Sequence, residues 1–244
     1  QLYILSPDSQ QIMLKKARRF TRSEMMVMEM LSTNEWKRPM YFATTIGSDY
    51  HLGLDPYLEL TGMAYRITPT RSADGRPRVN TEVMYDNMMN KFRYGNVNKL
   101  GIYLDENTLR MCRTHRMMFM ELIEALYEEG QHDKCLEVLD FAETVLPGYN
   151  VSYDYTSASM ASYYYQLDQA QKANAIMTKV ADNCVEYLDW MASLPAVQRK
   201  SLNQATLSHY SAVLGYVLNN LQQFEQKELF NKYFALYNQY VSVR

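Results

Sequence analysis

Apolar positions recur every three or four residues through the second half of the chain, and far less regularly through the first. Leu109, Cys112, Phe119, Leu122, Ile123 and Leu126 predict a helix over 106–129, which Gly130 breaks. Cys135, Val138, Leu139, Ala142 and Val145 predict a second over 132–146, ended by Pro147 and Gly148. The two form a helix–turn–helix hairpin with the spacing of a tetratricopeptide unit. Tyr155, Ala158, Ala161 and Tyr164 open a second pair, whose partner helix carries Ala173, Ile176, Met177 and Val180 and runs on toward Trp190. Pro195 starts a third pair: about 196–221 with Leu202, Val213 and Val217, then 223–241 with Phe230, Phe234, Tyr237 and Val241. These copies drift from a repeat of roughly 34 residues. The expected architecture is a short right-handed array of tetratricopeptide-like hairpins. Each would bury one face on the next, and the stack would leave a concave face for a ligand.

The first 104 residues read differently. Ser23 is placed to cap a helix over 24–33, with Met25, Met28 and Leu31 on one face and Met26 and Met30 beside them. Pro39 keeps Arg38 out of helical geometry and ends it. MYFATTI (40–46) has strand composition. LELTGMAYRIT (58–68) predicts a short helical turn and then a strand stopped by Pro69. RSADGRPR (71–78) is a loop with a D-G turn, and NTEVMYDNMMNKF (80–92) a helix capped by Asn80 with Val83 on its apolar face. The fold expected is mainly α, with a small α+β subdomain over 1–104 and helical hairpins over 105–244.

Composition supports that division. Of 9 Gly, 6 precede residue 105, as do 5 of 7 Pro. The chain holds 21 Tyr and 17 Met, residues suited to long helices and to surfaces that are half buried and half wet. A net charge of −2 provides no field for nucleic acid, and no nucleic-acid partner is expected. No run approaches the roughly 18 apolar residues of a spanning helix. The absence of an initiator Met at Gln1 leads us to expect a piece of a longer protein.

Candidate chemistry is sparse. Nucleotide, phosphate, zinc-protease and hydrolase motifs are missing, and no cofactor is expected. His51, His115, His132 and His209 lie far apart; His115 reads as a polar-face or capping residue and His209 as an interior or boundary one. Cys112, Cys135 and Cys184 sit in helical patterns as small core residues, without metal-site spacing. Of the paired acids, Asp105/Glu106 suits a helix start, while Glu128/Glu129 and Glu225/Glu228 read as solvated faces. Basic residues group at Lys15, Lys16, Arg18, Arg19 and Arg22, and at Arg66, Arg71, Arg76 and Arg78, as solvated surface or as contacts for headgroups or phosphates. Asn150-Val-Ser152 matches a glycosylation triplet. The densest aromatic patch is Tyr153, Tyr155, Tyr163, Tyr164 and Tyr165. Three consecutive tyrosines on a helix point in different directions, so at least one must face a groove or solvent, where ring and hydroxyl suit sugars and peptides.

One block is distinctive: NEWKRPMYFATTIG (34–47). With DPYLELTGMAYRITP (55–69), VNTEVMYDNMMNKFRYGN (79–96) and YLDENTLRM (103–111), it resembles a family of large bacterial polytopic membrane proteins with a domain of unknown function. That family looks related to the eukaryotic transmembrane protein O-mannosyltransferase. The resemblance implies that glycosyl transfer belongs to a membrane-spanning half absent from this sequence. The chain would then be a periplasmic, extramembrane C-terminal region, with that spanning half as its partner. No catalytic residue transfers. Trp36, Lys37, Arg38, Pro39, Tyr65 and Arg66 map onto motif positions, with Trp36 expected buried and Arg38 or Arg66 bonded to Asp55 or Glu59.

Three functions remain open. The first is a non-catalytic extramembrane domain that binds an acceptor polypeptide or a partner (a polypeptide or glycan) through the helical groove, or braces the catalytic half. The second is a free-standing tetratricopeptide-like interaction module. The third is a soluble glycan-active enzyme with two carboxylates converging across a cleft.

Overall fold

A computed structural model describes residues 3–8, 10–14, 19–201 and 204–241. Lys15, Lys16, Arg18 and Leu202, named above, lie outside the described residues. The chain forms two compact units, residues 1–93 and 94–244.

In the first unit, strands β1 (Tyr3–Leu5) and β2 (Gln11–Met13) pair antiparallel with Ile4 opposite Ile12. Their alternation turns both isoleucines inward and Tyr3, Leu5 and Met13 outward. Helix α1 (Arg22–Asn34) follows. Its cap is Thr21 rather than Ser23: Thr21 Oγ1 accepts the Glu24 N–H at 3.2 Å, and Glu24 reaches back to the Thr21 N–H at 2.7 Å. That reciprocal pair satisfies two end donors, which Ser23 two residues later would not. The inward face of α1 is Val27, Met28 and Leu31, while Met25, Met26 and Met30 are exposed.

A four-stranded sheet has the order β3 (Tyr41–Ala43), β5 (Ala64–Ile67), β4 (Leu58–Leu60), β6 (Arg78–Val79). The first three pair antiparallel, and β6 joins β4 in parallel. Residues 58–60 are thus strand, not the expected helical turn. The turn lies just before them, a 3-10 turn over Asp55–Tyr57. β4 is buried along its whole length, and its leucines fill the core, which decides the local conformation. Gly62 links β4 to β5 at φ +134°, and a Cβ there would lie 2.9 Å from Phe92 Cζ. Ile4, Ile12, Leu14, Leu31, Phe42, Leu54, Leu58 and Ile67 make one apolar cluster.

Helix α2 (Thr81–Asp86) is capped by Asn80 as expected, and continues as a π turn over Asn87–Lys91. Its buried anchors are Met84 and Met88, whereas Val83 is exposed.

The second unit is helical: α3 (Glu106–Glu128), α4 (His132–Val145), α5 (Tyr155–Gln166), α6 (Ala170–Ser193), α7 (Ala196–Ser201), α8 (Gln204–Gln223) and α9 (Lys227–Val241). Packing is densest for α3 on α4, α5 on α6, α6 on α8, and α8 on α9. Phe119, Leu122, Ile123, Val138, Leu139, Ala158, Ala161, Met177, Val213, Val217 and Tyr233 fill the interior. Over the expected helix of about 196–221 the described residues form α7 and α8, and residues 202–203 between them lie outside the described residues. The pairs differ in proportion, 23 and 14 residues against 12 and 24.

The sequence division at 104/105 followed texture, whereas compactness divides the chain between Arg93 and Tyr94. Residues 94–104 join the helical unit through side chains. Tyr94 packs its ring on Phe119 and Phe141. The Asn150 amide donates to the carbonyls of Val97 and Lys99 at 2.6 and 2.7 Å, and the Tyr149 hydroxyl to that of Asn98. The glycosylation triplet thus has its acceptor nitrogen engaged in holding this segment.

Candidate functional site

The residues of the WKRP block form a helix-ending turn. Glu35 and Trp36 both take left-handed backbone angles, φ 46° and 59°. Asn34 clasps the turn, its amide donating to the Arg38 carbonyl at 2.8 Å. Trp36 is half-buried rather than buried. Its indole N–H donates to the Leu5 carbonyl at 2.7 Å, tying the end of α1 to β1. Lys37, Arg38 and Pro39 are exposed, with Lys37 paired to Glu35. Tyr65 packs at the margin of the core and meets His51 edge-on, while Arg66 is exposed on β5, in register with Tyr41 and Glu59. The expected bonds of Arg38 or Arg66 to Glu59 or Asp55 are not made. Arg78 takes Glu59, with Nε and a terminal nitrogen each at 3.0 Å, and His51 Nδ1 takes Asp55 at 2.8 Å. β6 brings Arg78 beside Glu59 on the neighbouring strand, a position no local spacing indicates. The first unit also has an apolar recess of about 520 Å³ between α1 and β3, lined by Val27, Met30, Met40, Tyr41, Ile46 and Tyr50 among others.

The larger cavity lies wholly within the helical unit. It is an open groove of about 800 Å³ between the segment entering α5 and the facing sides of α6 and α8. One wall is Ser152, Tyr153, Asp154, Tyr155 and Thr156; the other holds Asn183, Glu186, Tyr187, Trp190, His209 and Tyr210, with Arg113 of α3 at the side. Val180, Cys184 and Val213 form the floor.

A buried cation sets the first wall. Arg116, 1% exposed, reaches from α3 into the segment joining α4 to α5. Its guanidinium donates to the carbonyls of Leu146 (3.2 Å), Val151 (2.8 Å) and Ser152 (2.9 Å), and stands 3.7 Å from the Asp154 carboxylate. Those carbonyls belong to a non-helical segment and would otherwise go without donors. Only Arg offers enough donors in a fixed fork to serve all three. Asp154 in turn caps α5, accepting the Ser157 N–H at 3.1 Å. Tyr153 closes the assembly. Its hydroxyl donates to Glu143, its ring lies 5.7 Å from the Arg116 guanidinium carbon, and it rests on Gly148, where a Cβ would come within 2.3 Å of the ring. Burial raises the Glu143 carboxyl above the usual range, and burial beside Glu143 raises the Tyr153 phenol.

The second wall is aromatic. Tyr187 and Tyr210 stack with centroids 3.9 Å apart, Trp190 leans on Tyr187 at 5.4 Å, and His209 meets Tyr210 edge-on. Trp190 is 48% exposed. His209, expected at an interior or boundary position, is exposed on this wall.

Of the five tyrosines singled out from sequence, Tyr153 and Tyr155 line the groove. Tyr163, Tyr164 and Tyr165 do not. Tyr164 is buried with its hydroxyl on Asp140, Tyr165 stacks on Phe224 and donates to Asn174, and Tyr163 packs edge-on to Tyr127. Their helix is enclosed by neighbours, so the triplet serves packing. Sequence reasoning missed Arg116, Arg113, Asn183, Glu186, Tyr187 and Tyr210. Asn183, Glu186, Tyr187 and Trp190 were visible as a polar and aromatic stripe at i, i+3, i+4 and i+7.

All three cysteines are buried and free, and burial pushes Cys135 up to about 11 and Cys184 to about 12. Among the described residues no three His, Cys, Asp or Glu converge to hold a metal ion, and no helix is long and apolar enough to cross a membrane.

No curated protein and no solved structure matches the chain. Residues 5–87, which span most of the first unit including the WKRP turn and all six strands but the start of β1, are similar to the family described as TMEM260-associated domain 2.

Proposed function

We propose that this chain is a non-catalytic, extramembrane domain of a TMEM260-like membrane glycosyltransferase, facing the periplasm, and that its helical unit holds the acceptor polypeptide. The match over residues 5–87 supports the link to a membrane protein. The groove supports the binding role, because its wall is built and locked by a buried arginine that serves three carbonyls and the Asp154 carboxylate of that wall. The helical pairs are read as tetratricopeptide-like, an architecture whose concave faces take polypeptides. The first unit, with its recess and exposed methionines on α1, is read as the part that braces the membrane-spanning half.

The carboxylates in the groove argue against chemistry there. Asp154 is spent on the α5 cap and Arg116, leaving Glu186 as the carboxylate available among the lining residues. Glycoside hydrolysis uses two. The test is to measure binding of a serine- and threonine-rich polypeptide to the purified chain, together with turnover of glycosides and of lipid-linked sugar. Saturable binding that Tyr155→Ala and Tyr210→Ala weaken, without turnover, is the expected result. Turnover lost on Glu186→Gln would refute the non-catalytic assignment.

A further inference from the structure

Resting on the reading of the groove as the acceptor site, we infer that it is a carbohydrate subsite: Trp190 takes the apolar face of a neutral pyranose, and Asn183 and Glu186 take its hydroxyls. The three residues share one face of α6 with Tyr187, at i, i+3, i+4 and i+7, so an aromatic face and planar polar groups lie side by side. A pyranose has the complementary form, with C–H groups on a ring face and hydroxyls around the rim.

The Trp190 ring is held before any ligand arrives. It leans on Tyr187, which is stacked on Tyr210, so little freedom remains to be lost on binding. Its 48% exposure puts a large aromatic surface in water beside a groove. Glu186 is exposed and offers acceptors only; Asn183 offers both donors and acceptor, and its one bond, to the Tyr153 carbonyl, is long at 3.3 Å. Together they can accept from and donate to neighbouring hydroxyls.

The floor distinguishes a sugar from a bare peptide. Peptide grooves anchor side chains in apolar pockets. Here Val180, Cys184 and Val213 are each under 5% exposed, so the floor presents almost no aliphatic surface, and the accessible apolar area is aromatic. The charges distinguish a neutral sugar from an anionic one. Glu186 stands where a phosphate or sulfate would be repelled, and Arg113 already faces Glu106 at 3.7 Å.

The experiment uses the full chain carrying Trp36→Phe, which leaves Trp190 as the only tryptophan. Its emission is followed on titration with neutral gluco- and manno-configured trisaccharides. The same is done with a serine- and threonine-rich peptide, bare and carrying one O-linked hexose. Saturable binding of trisaccharide and glycopeptide, in competition, is expected. Trp190→Ala should weaken glycopeptide binding roughly tenfold, measured by calorimetry, and Trp190→Phe less. Glu186→Gln, at an exposed position off the core, tests the hydroxyl contact independently and should also weaken it. Bare peptide binding as well as glycopeptide, with no competition from trisaccharides, would overturn the sugar assignment and sustain the acceptor reading. A folded chain that binds no probe would overturn both.

Discussion

Arg116 offers the sharpest test of how the helical unit holds its groove. Arg116→Met keeps the length and apolar stem of the side chain but removes the fork. Three carbonyls lose their donors. Ser152 is exposed, so water can replace the arginine there; Leu146 and Val151 are buried, so their carbonyls cannot be rehydrated without opening the segment. Each buried acceptor left unmatched costs about 1–3 kcal/mol. Relief from desolvating the guanidinium offsets part of that sum, since buried charges are themselves expensive. We expect a net loss of roughly 3 kcal/mol. Arg116→Lys keeps the charge but offers an ammonium that cannot reach three divergent carbonyls, and should fall between. The assay is urea unfolding followed by Trp190 emission in the Trp36→Phe background, which reports on the helical unit. The variant should also lose protection of the amides of 152–156 from hydrogen exchange before global unfolding. If Arg116→Met is within about 0.5 kcal/mol of the parent, the range of an ordinary surface change, then the arginine does not hold the wall and the argument built on it fails.

The Glu143 carboxyl has a raised pKa in the folded chain, through burial, so its contribution to stability is present at acid pH and is lost as pH rises through the folded value. Glu143→Gln, which keeps an acceptor for Tyr153, should flatten the dependence of stability on pH above the ordinary carboxylate range; an unchanged slope would remove Glu143 from the account. Cys112, Cys135 and Cys184 should resist iodoacetamide at pH 8 in the native chain and react together once unfolded, as counted by mass spectrometry, because burial both shields them and raises their pKa values. Gly62→Ala should destabilise more than Gly130→Ala, each measured by thermal melting followed by circular dichroism. Both have positive φ, but only Gly62 has a ring within 2.9 Å of the added carbon, whereas Gly130 faces open space; equal losses would show that backbone strain alone decides.

Periodicity made the helices legible and left the packing of side chains between distant segments illegible. Gly130 and Pro147 ended helices where their local chemistry required. Asn80 and Asp105 capped helices for the same reason. β4 was misjudged although LEL alternates, because three residues are too few to separate a strand from a helical turn; the strand is buried along its length, even at Glu59, whose charge is matched by Arg78 across the sheet. A pairing 19 residues apart and on another strand has no local signature. Met25 was placed on one face with Met28 and Leu31 by spacing alone, yet the helix turns Val27, Met28 and Leu31 inward and leaves Met25 exposed. Composition cannot tell two neighbouring apolar stripes apart when methionine fills both.

The groove shows the same limit from the other side. Aromatic density pointed to Tyr163, Tyr164 and Tyr165, but three consecutive residues on a helix enclosed by neighbours must meet those neighbours in different directions. Residues that line a concavity come instead from one face each of several helices, so they are sparse in sequence: six on α6, three on α8, one on α3. Arg116 is the most telling case. In a helix of apolar period it sits at the spacing of Cys112 and Phe119, on the buried stripe, where an arginine breaks the pattern. A charge in a core stripe is tolerated only with partners that need it, and the long irregular passage from Leu146 to Asp154 supplies them in its carbonyls. The break in periodicity was therefore the visible sign of a wall held in place at the cost of burying a charge.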